Sequence, residues 1–146
     1  MDTIKGVTLT PIKIISNLKG DVMHALKKTD ASFSEFGEAY FSTIHLHVIK
    51  GWKKHLEMKL NLFVPSGNIK FVLYDDRLES ETYGNFFEVE LGLNNYQRLT
   101  VPPGIWMAFE GKGVGINLLL NIASILHDPN ETIACDLSNI KYQWEK

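Results

Sequence analysis

An all-β sandwich or barrel is what this sequence predicts, on three observations. Short runs rich in β-branched and aromatic residues recur along the chain. Turn compositions with Gly, Pro, Asn or Asp separate them at a spacing of about ten residues. Amphipathic helical patterns are scarce.

Val7 to Ile15 is rich in β-branched residues and leads into Asn17-Leu18-Lys19-Gly20-Asp21, a turn composition. Val22 to Leu26 is a second short run, Thr29 to Ser34 a polar loop, and Glu35 to Ile44 the next strand. The clearest alternation is Lys53 to Asn61. There Leu56, Met58, Leu60 and Leu62 face one way, and His55, Glu57, Lys59 and Asn61 the other. A period of two predicts one strand with a dry face and a polar face. Pro65-Ser66-Gly67-Asn68 predicts a hairpin turn into Ile69 to Tyr74. Phe86 to Leu91, Gln97 to Val101, Ile105 to Phe109 and Val114 to Ser124 complete the strands. The tail from His127 is polar and opens with Asp128-Pro129-Asn130. No repeat, linker or low-complexity segment divides the 146 residues, so one domain spanning 1–146 is expected.

Composition narrows the function. Hydrophobic residues at 45% suit a globular core, and a formal charge of -2 with interspersed signs offers no basic face for nucleic acid. The cluster Lys50, Lys53 and Lys54 is sized for one or two phosphates. A single cysteine, Cys135, rules out an internal disulfide and fits a reducing compartment. The start lacks a signal-peptide pattern, and the richest apolar stretch, Ile116 to Leu126, is interrupted by Asn117, Asn121 and Ser124. A cytoplasmic protein without membrane contact is expected.

Three segments, in order, carry a family signal. They are Val48-Ile49-Lys50-Gly51-Trp52, then Gly67-Asn68-Ile69-Lys70-Phe71-Val72-Leu73-Tyr74-Asp75-Asp76-Arg77 with Thr82-Tyr83-Gly84, then Val101-Pro102-Pro103-Gly104-Ile105. Together with Ile140-Lys141-Tyr142-Gln143-Trp144, they resemble the dTDP-4-dehydrorhamnose 3,5-epimerases over most of the chain from Pro11 onward. The related dTDP-sugar 3,4-ketoisomerases resemble the chain at His55 and at Trp106, after the double proline. The resemblance implies a cupin-type jelly roll, a homodimer, and a nucleotide-linked 4-keto sugar bound in the barrel. It implies no separate cofactor. The chemistry it implies needs a base for the proton beside the ketone, charge stabilisation for the enolate, and a second acid on the opposite face.

The sequence departs from that pattern at the dyad. Lys53 stands where the epimerases carry their catalytic histidine, and Met107 where a second histidine follows the proline turn. The aspartate that orients the base would lie beyond the Trp144 stretch, so the standard His–Asp pair is expected to be missing in both members. Asn121 aligns with the catalytic tyrosine.

Each candidate has a structural alternative. The stripe His55, Glu57, Lys59 and Asn61 either lines the barrel mouth or is a solvated outer face. Lining the mouth, it supplies His55 as base, Glu57 as orienter or second acid/base, and Lys59 or Lys53 near the enolate oxygen. Lys53 is a phosphate or enolate contact, or a surface lysine. Lys50 and Arg77 are candidates for the diphosphate, although an arginine after Asp75-Asp76 is also a common structural ion pair. Tyr40 offers a hydroxyl acid or packs. Trp106 and Tyr74 stack on a ligand ring or belong to the core, and Asn61 and Asn121 are further substrate contacts. His45 and His47 form an H-x-H pair, but no glutamate follows within four residues, so no metal site is expected. Two functions follow: an epimerase or isomerase of a nucleotide-linked 4-keto-6-deoxy sugar in surface-polysaccharide assembly, or a non-catalytic module of the same shape that holds a sugar nucleotide or a partner protein.

Overall fold

The computed structural model of the protein describes residues 2–144. Its strands are β1 (Thr8–Pro11), β2 (Ile14–Ile15), β3 (Val22–Met23), β4 (Glu38–Ile44), β5 (Ile49–His55), β6 (Leu60–Ser66), β7 (Asn68–Asp75), β8 (Phe86–Gly92), β9 (Gln97–Val101), β10 (Ile105–Gly111), β11 (Asn117–Ala123) and β12 (Thr132–Ala134). One sheet runs β1-β9-β6-β11-β4 and faces a second that runs β12-β5-β10-β7-β8, while β2 and β3 pair as a small separate hairpin. All named pairings are antiparallel. The predicted jelly-roll sandwich is what is found.

The two sheets enclose one apolar layer. Leu62, Val64, Leu99 and Leu119 point inward from one sheet, and Ile69, Phe71, Leu73 and Ile105 from the other. Phe71 is packed against Phe109, ring centroids 5.7 Å apart. Truncating one of these buried leucines to alanine costs about 2–5 kcal/mol through lost transfer energy and the void left behind.

Two expected continuities break. Lys53 to Asn61 is not one strand: β5 ends at His55, residues 56–59 turn a corner, and β6 starts in the opposite sheet. Alternation survives a corner because Met58 plugs the core there while Leu56 stays exposed, so periodicity alone does not reveal the turn. Nor is Pro65-Ser66-Gly67-Asn68 a hairpin, since β6 and β7 lie in different sheets. Gly67 has φ +77°, and a Cβ there would fall 2.4 Å from Asn117 Oδ1. That oxygen accepts from the Asn68 and Gly113 backbone N–H groups, which leaves the corner room only for glycine.

Other boundaries shift by a few residues. Val7 to Ile15 divides into β1 and β2, Val22 to Leu26 shrinks to two residues, and the strand from Ile105 runs on to Gly111. The tail expected to be merely polar contains β12, which pairs with β5, and a return segment that covers the outside of the second sheet. There Tyr142 and Trp144 join a cluster around Trp52, Val72 and Trp106. The Trp52 indole N–H donates to the Leu137 carbonyl.

Candidate active site

A cavity of about 370 Å³ opens between the two sheets at the side where β4 and β12 are the edge strands. Leu60, Leu62, Leu119, Met107 and Phe109 give it apolar walls. Its polar groups come from two directions: Lys50, Lys53 and His55 from β5, and Tyr40, Ser42 and Asn121 from β4 and β11 on the facing sheet. Apolar walls with a few convergent polar groups are the usual make-up of a small-molecule site.

Strand geometry explains the first set. Lys53 and His55 are two apart on β5 and therefore share its inner face, while Lys54 between them points outward to Asp76 at 3.1 Å. β5 is pressed close to β10 at Gly51, where a Cβ would sit 2.3 Å from that of Ala108. The glycine of the Lys50-Gly51 motif thus serves packing, and of the lysines around it Lys50 and Lys53 line the cavity.

His55 is not alone. Its Nδ1 lies 2.5 Å from Oε1 of Glu131, with side-chain exposures of 11% and 4%. The other Glu131 oxygen, Oε2, accepts from the backbone N–H groups of Glu57 at 3.0 Å and Met58 at 3.1 Å. Glu131 ends a single 3-10 turn, Pro129–Glu131, capped by Asp128, and the β12–β5 register then sets Thr132 opposite His55. The carboxylate therefore holds both the imidazole and the corner. Burial works to raise its pKa, but the His55 hydrogen bond and the two backbone donors outweigh that, and it is lowered from its ordinary value. With Nδ1 engaged by a carboxylate, a neutral imidazole at this position carries its N–H on Nδ1 and its lone pair on Nε2. A histidine–carboxylate pair is thus present away from the positions of the family's standard pair: its imidazole is the candidate His55, and its acid is Glu131 where Glu57 was expected. The acid comes from residue 131, before the Trp144 stretch, and the imidazole from residue 55.

On the facing wall Asn121 lies opposite Tyr40 in the β11–β4 register. Its Nδ2 donates to the Tyr40 hydroxyl oxygen at 3.0 Å, while its Oδ1 has no partner among the described residues. Asn121 is 5% exposed and Tyr40 42%. Lys50 donates from Nζ to the Thr43 carbonyl at 2.9 Å at the cavity edge.

The remaining candidates lie elsewhere. Glu57 is exposed on the corner itself; its contribution to the dyad is its backbone N–H. Lys59 is half-buried outside the cavity, its backbone N–H donating to Ser124 Oγ. Asn61 faces away from the cavity: Nδ2 donates to the Ser32 carbonyl and Oδ1 accepts from the Thr100 hydroxyl. The predicted polar face therefore dissolves, because the corner turns the chain after His55 and the leucines of β6, not its asparagine, look inward. Arg77 forks onto buried Asp75, with Nε 2.9 Å from Oδ1 and Nη2 3.0 Å from Oδ2. Trp106 lies on the outer face, its indole N–H donating to Asp76 and Lys54 Nζ lying 4.8 Å from its ring centroid. Tyr74 packs on Phe86. His47 sits in a turn at φ 67°, and among the described residues no three His, Cys, Asp or Glu side chains converge to hold a metal ion. No described helix is long and apolar enough to cross a membrane.

Glu131 is the residue that sequence reasoning missed. Its only local signal is a Pro-Asn-Glu turn followed by the β-branched Thr132-Ile133.

No protein-family model matches the sequence. The structure is similar to that of a dTDP-sugar isomerase from Desulfovibrio desulfuricans G20, with a TM-score of 0.93 and 35% identity over 97% of this chain and 92% of that one. The sequence is 28% identical over 130 residues to a probable low-salt glycan biosynthesis epimerase of Haloferax volcanii, covering 88% of this chain and 83% of that protein. It is 24% identical over 145 residues to the spore coat polysaccharide biosynthesis protein SpsL of Bacillus subtilis, covering 97% and 96% of the two.

Proposed function

The chain belongs to the dTDP-sugar epimerase and isomerase family, and from that premise we propose that it removes a proton beside the ketone of a dTDP-linked 4-keto-6-deoxy sugar. The observation that carries this is the His55–Glu131 pair facing an apolar cavity. The binding-module reading supposes a barrel stripped of its acid/base set, and a carboxylate aligned on an imidazole at the cavity is such a set, so the catalytic reading is preferred.

In this reading Nε2 of His55 takes the proton, and the electron pair of the broken C–H bond moves onto the ketone oxygen as an enolate. Glu131 fixes the tautomer and stabilises the imidazolium that forms. The Lys53 ammonium, on the same inner face and exposed to solvent at the cavity, is assigned to the enolate oxygen. Tyr40, on the facing wall, gives its phenolic proton to the carbon from the other side; the phenolate then takes a proton from water and the His55 imidazolium returns its proton to water, so both groups are restored. Asn121 supports the phenolate by donating to its oxygen. Lys50, at the cavity edge, is assigned to the diphosphate. Return to the opposite face of the same carbon inverts that centre; protonation of the former carbonyl carbon instead, with loss of the proton from the neighbouring hydroxyl, moves the ketone. No separate cofactor takes part.

The glycan and spore-coat relatives support a place in polysaccharide biosynthesis. A cytoplasmic setting and a homodimer complete the proposal. The dimer is supported by the exposed Phe41 on edge strand β4, and light scattering at the molar mass of two chains is its check.

The test is proton exchange. The protein is incubated with dTDP-4-keto-6-deoxyglucose in deuterated water, and the signals of the protons at C3 and C5 are followed. Wild type exchanges at least one of them, and His55→Ala lowers that rate by about 10²–10⁴, the usual worth of a positioned base. Binding without any exchange in the wild type sinks the catalytic reading for this sugar.

A further inference from the structure

On the outer face of the first sheet, away from the cavity, a pocket of about 170 Å³ lies between the end of β1 and the segment 24–30. Its floor is Arg98, which the β1–β9 register sets opposite Thr10. Arg98 is 5% exposed, and only one side of its guanidinium is accounted for. Nη1 donates to the Ala25 carbonyl at 3.0 Å and to Asp30 Oδ2 at 3.2 Å, whereas the buried Nε–H has no acceptor among the described residues. A buried donor left unpaired is costly and rare in native folds, and a guanidinium edge is the group best shaped to take an oxyanion. The rim adds Lys13, Lys27 and His24, with the two lysines exposed. Against these stands one carboxylate, Asp30, already shared between Arg98 and the Lys27 backbone N–H at 2.8 Å. Positive charge therefore exceeds negative charge in a concave setting, which concentrates anions.

We propose that this pocket binds a phosphate-type oxyanion, with the unpaired, buried Nε edge of Arg98 as its central donor and Lys13 and Lys27 as the charged rim. Such a ligand joins β9 to the 24–30 segment, which otherwise meets this face through a few polar bonds. Asn61 bonds the Ser32 carbonyl a little further along the same crossing, and its neighbours Leu60 and Leu62 line the cavity on the reverse side. Anion binding thus braces the sheet that forms one cavity wall, and the site does not depend on what the cavity does.

The chain has only two arginines, Arg77 and Arg98, so its Nε–H NMR spectrum holds two resolvable signals with one as an internal reference. Uniformly ¹⁵N-labelled protein is titrated with inorganic phosphate against sodium chloride of equal ionic strength. The Arg98 signal is expected to shift saturably with phosphate while Arg77, occupied by Asp75, stays put. Lys27→Ala, at an exposed position that does not endanger folding, is expected to weaken the apparent affinity by about threefold. Lys53→Ala, in the separate cavity, is expected to leave the titration unchanged. A parallel titration with glucose 1-phosphate separates the sources: tighter binding than phosphate identifies an esterified phosphoryl group, equal or weaker binding the free ion. An Arg98 signal that follows ionic strength alone, or a phosphate shift that survives unweakened in both Lys13→Ala and Lys27→Ala, overturns the proposal.

Discussion

Of the three buried carboxylates among the described residues, Asp75 and Glu131 make the instructive contrast. Asp75 is wholly buried and accepts from the Arg77 backbone N–H, the Arg77 guanidinium, and the Ser80 and Thr82 hydroxyls. Burial pushes its pKa up, but this cage of donors prevails and holds it well below the usual carboxylate range. Glu131 is equally hidden and also lowered, yet its side-chain partner is an imidazole at the rim of a cavity. A carboxylate paired with a permanent cation is a fixed strut, because neither group changes charge near neutrality. Paired with a titratable ring, the same group becomes a device for holding a proton and releasing it. The family motif around Asp75, Arg77 and Thr82 is therefore an ion-pair strut here, while the proposed proton chemistry draws on a glutamate outside every motif.

The largest effect that separates the two is on stability. Asp75→Ala leaves the Arg77 guanidinium without its partner and is expected to cost about 3–5 kcal/mol in urea unfolding. The exchange rate per folded molecule should stay near wild type. A large drop in that rate at full folding would erase the distinction.

Glu131→Gln should behave in the opposite sense. It keeps the shape but loses the charge that orients His55, so exchange is expected to fall by about 10²-fold, as for other outer partners of a functional histidine. Stability should drop by only about 1–2 kcal/mol, the worth of a charge-assisted hydrogen bond. The sign of the pH effect follows from the lowered pKa. The unfolded chain takes up the proton first, so the contribution of Glu131 is complete above its ordinary value of 4.5 and lost as pH falls through the lower folded-state value. Acid unfolding of Glu131→Gln should accordingly show a shallower loss of stability below that pH than wild type.

Tyr40→Phe sharpens the comparison within the cavity. If the two walls act on opposite faces of the sugar, proton wash-in by His55 persists while inversion slows by about 10-fold or more, read by product stereochemistry. Equal loss of both would place Tyr40 with the base instead. The smallest effect belongs to Lys59→Ala, outside the cavity, with a stability change within about 0.5 kcal/mol and unchanged exchange.

Much of the fold was legible because each strand carries its own local signature. Gln97–Val101 matches its sequence reading residue for residue, and most other strands shift only at their ends. The corners were not legible. Leu56, Met58, Leu60 and Leu62 keep a two-residue rhythm through a change of sheet, since a corner may plug one apolar side chain into the core and expose the next. His55 could be singled out by resemblance, but its acid could not, because the two lie 76 residues apart and Glu131 sits in a tail whose composition resembles solvent-exposed chain.

By itself, the sequence determined the all-β class, most of the strands and the family, because alternation, turn residues and short motifs are local properties of the chain. Only the tertiary structure decided which polar residues meet. The turn at residues 56–59 and the pairing of β12 with β5 bring Glu131 to His55 and send Asn61 to the opposite face. The proposed proton chemistry depends on that convergence, and distances between remote residues are not written in local pattern.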